Sequence, residues 1–236
     1  MRKLFLLLAM GLVVSFSLMA QDNKDRVTVE PSGNIITKEV SVTSFDQLDI
    51  SGVFSLMLIQ GNKEEVKIEA DDNLQSLFEV KNEGSKLTIG MKKDVNIHGK
   101  IKMKVYITFK NLKSMDLKTV GNVTSEANMS FNDLDINNKS VGNVDLKLTT
   151  QNLTIQNKSV GNVKLNGKAD NVTIKNKGVG SIQAASFVVQ KMDIDNSGVG
   201  SAEVNAEKEL KVKDSFLGKV SNKGSATIRR MNKVVI

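Results

Sequence analysis

A glycine that returns every 18 to 21 residues constrains this chain more than any other feature. Val120-Gly121-Asn122-Val123, Val141-Gly142-Asn143-Val144, Val160-Gly161-Asn162-Val163, Val179-Gly180-Ser181-Ile182, Val199-Gly200-Ser201-Ala202 and Leu217-Gly218-Lys219-Val220 recur in order, with successive glycines 21, 19, 19, 20 and 18 residues apart. Aligning the last five repeats on that glycine exposes further columns. Six residues earlier stand Ile136, Ile155, Ile174, Ile194 and Val212; eight earlier, Leu134, Leu153, Val172, Met192 and Leu210; two later, Val144, Val163, Ile182, Ala202 and Val220. Apolar positions therefore alternate with a period of two, break at the glycine and resume, which is the pattern of strands joined by a corner. Such a repeat is too short for a strand–helix–strand unit and long enough for two or three short strands. One coil cannot bury its apolar face alone, but coils stacked about 4.8 Å apart can. The spacing predicts an all-β fold, a single-stranded parallel β-helix of about 20 residues per coil, right-handed by the general preference of parallel crossovers.

Two polar columns accompany the apolar ones. Four residues before the glycine stand Asn138, Asn157, Asn176 and Asn196, then Asp214. Stacked amides can hydrogen-bond along the column, and Asn suits a tight turn, so a structural ladder is expected in preference to a row of ligand contacts. Three residues before the glycine stand Lys118, Lys139, Lys158 and Lys177. The fold does not require them. They read either as a solvated row that discourages lateral aggregation or as a linear cationic rail for an acidic glycan or the phosphates of lipopolysaccharide.

The first twenty residues read as an address. Arg2 and Lys3 precede an apolar run from Leu4 to Met19, and Ala20 is followed by the polar Gln21-Asp22-Asn23-Lys24-Asp25, the layout of a cleavable signal peptide spanning 1–20. No later stretch is long and apolar enough to span a membrane as a helix. The expected destination is the periplasm, the outer-membrane surface or the extracellular space. Without Arg2 and Lys3, the 33 basic and 26 acidic residues leave a net charge of +5, spread along the chain. The absence of Cys and Trp, with a single Tyr, argues against disulfides, against stacking platforms for single-stranded nucleic acid, and against aromatic sugar platforms. The length suits one domain. Residues 21–37 read as a flank and 38–236 as the domain, with irregular strands over 38–112 and regular repeats over 113–231.

The irregular part carries a resemblance. Phe45-Asp46-Gln47-Leu48-Asp49-Ile50-Ser51-Gly52, Gln60-Gly61, Val66-Lys67-Ile68-Glu69-Ala70-Asp71-Asp72-Asn73-Leu74, Leu87-Thr88-Ile89 and Val105-Tyr106-Ile107-Thr108, followed by glycine-centred repeats, resemble the head GIN domain family of autotransporter-adhesin-like proteins common in Bacteroidetes. The resemblance spans roughly 38–231. It implies a β-helix related in shape to pectin lyases without their catalytic residues, and a role in adhesion. Where that family's corner is often Gly-Ser-Gly, this chain has Val-Gly-Asn or Val-Gly-Ser.

Catalytic chemistry finds few candidates. His98 is the only histidine and lies in a polar stretch, so neither a histidine-activated nucleophile nor a zinc site has its parts. The pairs Asp133/Asp135 and Asp193/Asp195 are two apart in strands and face outward beside core columns. Asp195 should stack between Lys175 and Lys213, and Asp193 between Thr173 and Lys211, as ordinary cross-strand neighbours. Asp71-Asp72 reads as a turn in preference to a calcium site. No catalytic residue, metal or cofactor is expected. The expected function is non-catalytic binding, with an anionic glycan or a protein of the envelope or host surface as partner. The alternative is a polysaccharide lyase or hydrolase whose site is assembled across coils. The register itself is testable: Ile155→Asp should prevent folding, because an unpaired buried carboxylate costs several kcal/mol, while Thr154→Asp should be tolerated. Circular dichroism of both variants checks this, and equal behaviour would place the register off by one residue.

Overall fold

The computed structural model describes residues 27–231; the expected signal segment 1–20 lies outside them. From Ser114 onward the chain winds into parallel coils, and the strands Met129–Asn138, Val144–Asn157, Val163–Asn176, Ile182–Asn196 and Ala202–Asp214 each pair with the next. Residues eight and six before the repeat glycine form two continuous buried columns, and the residues two after it form a third. These columns line one core running through the stack. Alternation slips where two consecutive residues are exposed, at Gln151-Asn152 and Asp170-Asn171, and the chain turns there from one coil toward the next.

Coils of unequal length keep this register because the extra residues leave the ladder away from the glycine. The 19-residue coils pair across Val144–Asn157 and Val163–Asn176 without a shift. The additional residues of the first coil lie in the exposed stretch 126–128, between Val123–Ser125 and Met129–Asn138. The 20-residue coil takes its extra residue as an irregularity between Lys164 and Asn166, and the last coil shifts between Gln183 and Val188 and between Val189 and Lys191. The segment from eight to four residues before the glycine pairs without a break in every coil from Met129–Asn138 onward.

The irregular first half builds more of the stack than its sequence suggests. Gln47–Gly52 and Ser55–Gln60 lie in parallel register beneath Ser114–Thr119 and Val123–Ser125, with Leu48 under Met115, Ile50 under Leu117 and Leu56 under Val123. The boundary at 113 is thus a boundary in the chain and not in the stack. Below that rung lies another, Lys86–Met91 with Lys104–Phe109, also parallel. Below that, Phe78–Glu83 and Glu65–Asp71 run antiparallel and are joined by the short 3-10 turn Asp72–Leu77. Numbered from this bottom layer, the chain visits layers three, one, two and four in turn. Ile35–Val40 adds antiparallel to Glu65–Asp71, and Val27–Val29 pairs with Val95–Ile97, so strands extend into the segment read as a flank. Antiparallel strands at the bottom close the end of a parallel stack whose edge would otherwise offer unpaired backbone groups. Asp71 and Asp72 do the work of a turn: Asp71 accepts the Gly33 N–H at 2.6 Å, and Asp72 accepts from Ser32 Oγ and Asn34 Nδ2, tying down the 32–34 loop.

The corner depends on glycine sterically. At Gly142, Gly161, Gly180 and Gly200, φ lies between +125° and +133°, and an added Cβ would fall 2.2–2.4 Å from the carbonyl oxygen of the corner glycine one coil earlier. Gly121 makes the same approach to the Phe54 carbonyl. Gly218 keeps the place in the sequence but not the conformation. Its N–H bonds the Ser215 carbonyl at 3.2 Å within a local turn, and an added Cβ would fall 2.3 Å from the Asn196 carbonyl oxygen. The 18-residue final coil closes by that turn instead of repeating the corner. We expect Gly161→Ala to destabilise by about 3 kcal/mol, combining backbone strain with a clash against immobile backbone. Gly84→Ala, at φ +57° in an open hairpin turn, should cost about 1 kcal/mol. Chemical unfolding of both variants measures the difference, and equal losses would contradict a steric role for the corner.

Candidate functional site

Two of the polar columns have distinct fates. Asn138, Asn157, Asn176 and Asn196 are buried. Nδ2 of Asn138 donates to Oδ1 of Asn157 at 2.8 Å, Asn157 to Asn176 at 2.8 Å, and Asn176 to Asn196 at 2.6 Å. Each oxygen also braces its own turn: Oδ1 of Asn138 accepts the Ser140 N–H, Oδ1 of Asn157 the Ser159 hydroxyl, and Oδ1 of Asn176 the Gly178 N–H. Asp214 does not continue this ladder. The Asn196 amide turns instead to the carbonyls of Gly200 and Gly218, which the closing turn brings over it, while Asp214 accepts from Val220 N and Arg230.

Sequence reasoning missed two further ladders on the surface. Oδ1 of Asn122 accepts the Asn143 N–H, Asn143 that of Asn162, and Asn162 that of Ser181, at 2.9–3.0 Å. The signal was present as an Asn directly after the glycine in three consecutive coils. Asn152 donates to Asp133, and Asn171 to Asn152, near the opposite bend.

The lysine column divides. Lys118 is drawn to Asp49 of the rung below at 3.2 Å and to Asp116 at 3.3 Å. Burial opposes ionisation of Asp49, but hydrogen bonds from Lys118 and Lys86 outweigh it and hold the carboxyl below its ordinary range. Lys118 therefore does not stand in an open row. At the matching place beside Lys139 and Lys158 stand the neutral Asn137 and Gln156 instead of Asp116. Lys139, Lys158 and Lys177 are exposed and make no ion pair among the described residues, although Lys177 is near enough to Asp195 to help lower its carboxyl.

Beside the lysines runs a column of aliphatic side chains. Outward and inward positions alternate, so the residue one before the glycine projects on the same side as the lysine two residues earlier. Val120, Val141, Val160, Val179 and Val199 pair in sequence at this level, with Val53 below Val120 and Leu217 above Val199. These seven residues are 44% to 61% exposed. The corner thus presents three parallel columns: lysine, valine, and Asn or Ser.

Carboxylates gather differently from expectation in one place only. Asp193 pairs with Thr173 and Lys211, and Asp195 with Lys175 and Lys213, as the repeat predicts; Lys213 reaches Asp195 at 2.8 Å. Asp49, Asp116 and Asp135, however, line one open depression of about 340 Å³ with Lys86, a juxtaposition across three layers that sequence distance hides. Lys86 and Lys118 compensate Asp49 there. His98 is exposed in a loop beyond Val95–Ile97. Among the described residues, no three His, Cys, Asp or Glu side chains could hold a metal ion, and no helix is long and apolar enough to cross a membrane.

The chain is similar to one family model and to several solved structures. Residues 44–226 match the family model described as "Putative auto-transporter adhesin, head GIN domain". A crystal structure of a "putative adhesin" from Bacteroides fragilis NCTC 9343 is 31% identical, with a TM-score of 0.74, over 86% of this chain and all of that one. A "putative lipid binding protein" from Parabacteroides distasonis ATCC 8503 shares the fold at 18% identity and TM-score 0.58, over 87% of this chain and all of that one. A "putative adhesin" from Parabacteroides merdae ATCC 43184 does so at 18% identity and 0.52, with the same coverage. No curated protein matches the chain.

The buried ladder should outweigh the exposed one energetically. Asn157→Ala leaves the Asn138 amide N–H and the Ser159 hydroxyl without their partner and the Asn176 oxygen with the Gly178 N–H alone, at an expected cost of about 3 kcal/mol. Asn171→Ala, on the surface, should cost under about 1 kcal/mol because water replaces the lost bond. Thermal unfolding compares them, and an unchanged midpoint for Asn157→Ala would remove the ladder from the account of stability.

Proposed function

The chain belongs to the head GIN domain family, and on that premise we propose that it is an exported, non-catalytic, adhesin-like module that holds an acidic polysaccharide at the corner of its coils. The observation that carries this reading is the line of Lys139, Lys158 and Lys177, one per coil and unpaired among the described residues. Their backbones repeat at about 4.8 Å, so three ammonium groups meet a polymer that carries charge at regular intervals. Placing like charges this close repels by up to roughly 0.8 kcal/mol per neighbouring pair in water, and a polyanion relieves that repulsion on binding. The carboxamides of the exposed Asn143 and the half-buried Asn162 lie across the valine column and retain N–H donors for hydroxyl or carbonyl oxygens, since their ladder uses their oxygens. The adhesin description of the 31% identical protein supports the same role.

Replacing Lys139, Lys158 and Lys177 together by Gln should weaken binding to an immobilised acidic polysaccharide roughly tenfold at low ionic strength, as expected for three exposed pairs of about 0.2–1 kcal/mol each. Stability should hold or rise slightly. Lys118→Gln should leave binding nearly unchanged, because that lysine already serves Asp49 and Asp116. Undiminished binding by the triple variant would refute the lysine row as the site. Release of unsaturated or reducing ends from the polysaccharide would refute the non-catalytic reading.

A further inference from the structure

We infer that the corner of the coils is a membrane-docking ridge, which lies flat on an anionic phospholipid surface with its valine column inserted among the headgroups. Valine at this level is not explained by the core, since each is about half exposed while the inward places of the coil are filled by other residues, Ser140 and Val144 around Val141 and Ser159 and Val163 around Val160. Seven aliphatic side chains from Val53 to Leu217 span six coil steps, about 29 Å, in an unbroken line. Contiguous apolar exposure of this kind marks an interaction surface, whereas isolated exposed valines need no explanation. Phe216, next to Leu217 in the closing turn, is the most exposed large apolar residue among the described residues.

Shape and charge select the occupant. The corner is where two faces of the coil meet, both with their inward residues buried, so the valines crown a convex edge. A second copy pressed ridge to ridge would meet along a line, burying less than the roughly 800 Å² per partner of an ordinary stable interface. A soft lipid surface conforms to a ridge. The charge distribution agrees. The three columns at the corner contain Lys118, Lys139, Lys158, Lys177 and Lys219, with Asn, Ser, Val and Leu at the other positions from Lys118 to Lys219, and no acidic residue. Carboxylates return only one column further out, at Asp116 and Asp195 on one side and Asp145 and Glu203 on the other. An aliphatic stripe bordered by cations and cleared of anions combines apolar insertion with attraction to anionic headgroups, the two contributions that hold an interfacial element. The inference shares the lysines with the proposed function but does not rest on it.

The test uses the chain from Gln21 onward, which keeps every described strand and excludes the apolar segment 4–19 that would partition by itself. Sedimentation with vesicles of phosphatidylglycerol and phosphatidylcholine should retain the wild-type chain, and vesicles of phosphatidylcholine alone should retain much less. Val141→Thr, Val160→Thr and Val179→Thr together should lower partitioning to the anionic vesicles roughly tenfold while leaving polysaccharide binding intact. Lys139, Lys158 and Lys177 to Gln should lower both. If the threonine variant loses its folded circular dichroism, Val160→Cys supplies a unique thiol in a cysteine-free chain. An environment-sensitive dye there must shift to the blue on anionic vesicles. Absence of vesicle binding by wild type, unaltered binding by a folded threonine variant, or an unshifted dye overturns the ridge. So does a concentration-dependent dimer that the threonine substitutions abolish. Absence of polysaccharide binding by the wild-type chain, with vesicle binding retained, would count against the proposed function and leave the ridge standing.

Discussion

Everything above the bottom layers depends on one close approach, the carbonyl oxygen of one corner glycine lying where the next corner would carry a Cβ. At 2.2–2.4 Å from that hypothetical atom, no side chain larger than hydrogen fits without moving backbone. The approach lets the corner amides bond along the stack, Gly142 N to Val160 O and Gly161 N to Val179 O. It thereby fixes the height of each coil over the last. Core columns, the buried amide ladder and the surface ladders then align because they are measured from the same point. Buried Asn would be a cost in isolation, but stacked at this height each amide meets its neighbour and the cost is offset.

Ion pairs follow the same vertical logic. Lys213 reaches Asp195, Lys164 reaches Asp145 and Lys118 reaches Asp49, each from one layer to the next. Such pairs at the surface contribute little individually. Their arrangement matters more for what it leaves over. Where a column offers Asn137 and Gln156 instead of a carboxylate, the adjoining lysines stay unpaired among the described residues, and the corner becomes a strip without acid.

The repeats were legible because each column samples one environment several times. Ile136, Ile155, Ile174 and Ile194 announce a buried place more firmly than any one of them could. The asparagine ladder was legible for the same reason, and it failed at Asp214 and Gly218, where the last coil is short and local turn geometry replaces the corner. The exposed valine column was not singled out from the sequence, although a valine or leucine directly before the glycine recurs in all six repeats; its place one residue before the corner puts it outside. The layering of the first half was not legible. Its order of three, one, two, four joins strands by pairings distant in sequence, such as Leu48 with Met115 and Leu56 with Val105, and nothing in residues 61–112 repeats to reveal them. The depression shared by Asp49, Asp116 and Asp135 was hidden by the same permutation.

The coils of 19 residues that pair without a register shift have a consequence for how such a molecule changes over generations. Each is an interchangeable module bearing one core set, one ladder amide, one lysine and one corner valine. Duplicating or excising such a segment would leave neighbouring coils facing the same partners as before, so length changes in whole steps of about 4.8 Å. The reach of the outer strip is therefore counted and not graded. A lineage can lengthen that strip by copying one module, or shorten it by removing one, without redesigning a single contact inside it.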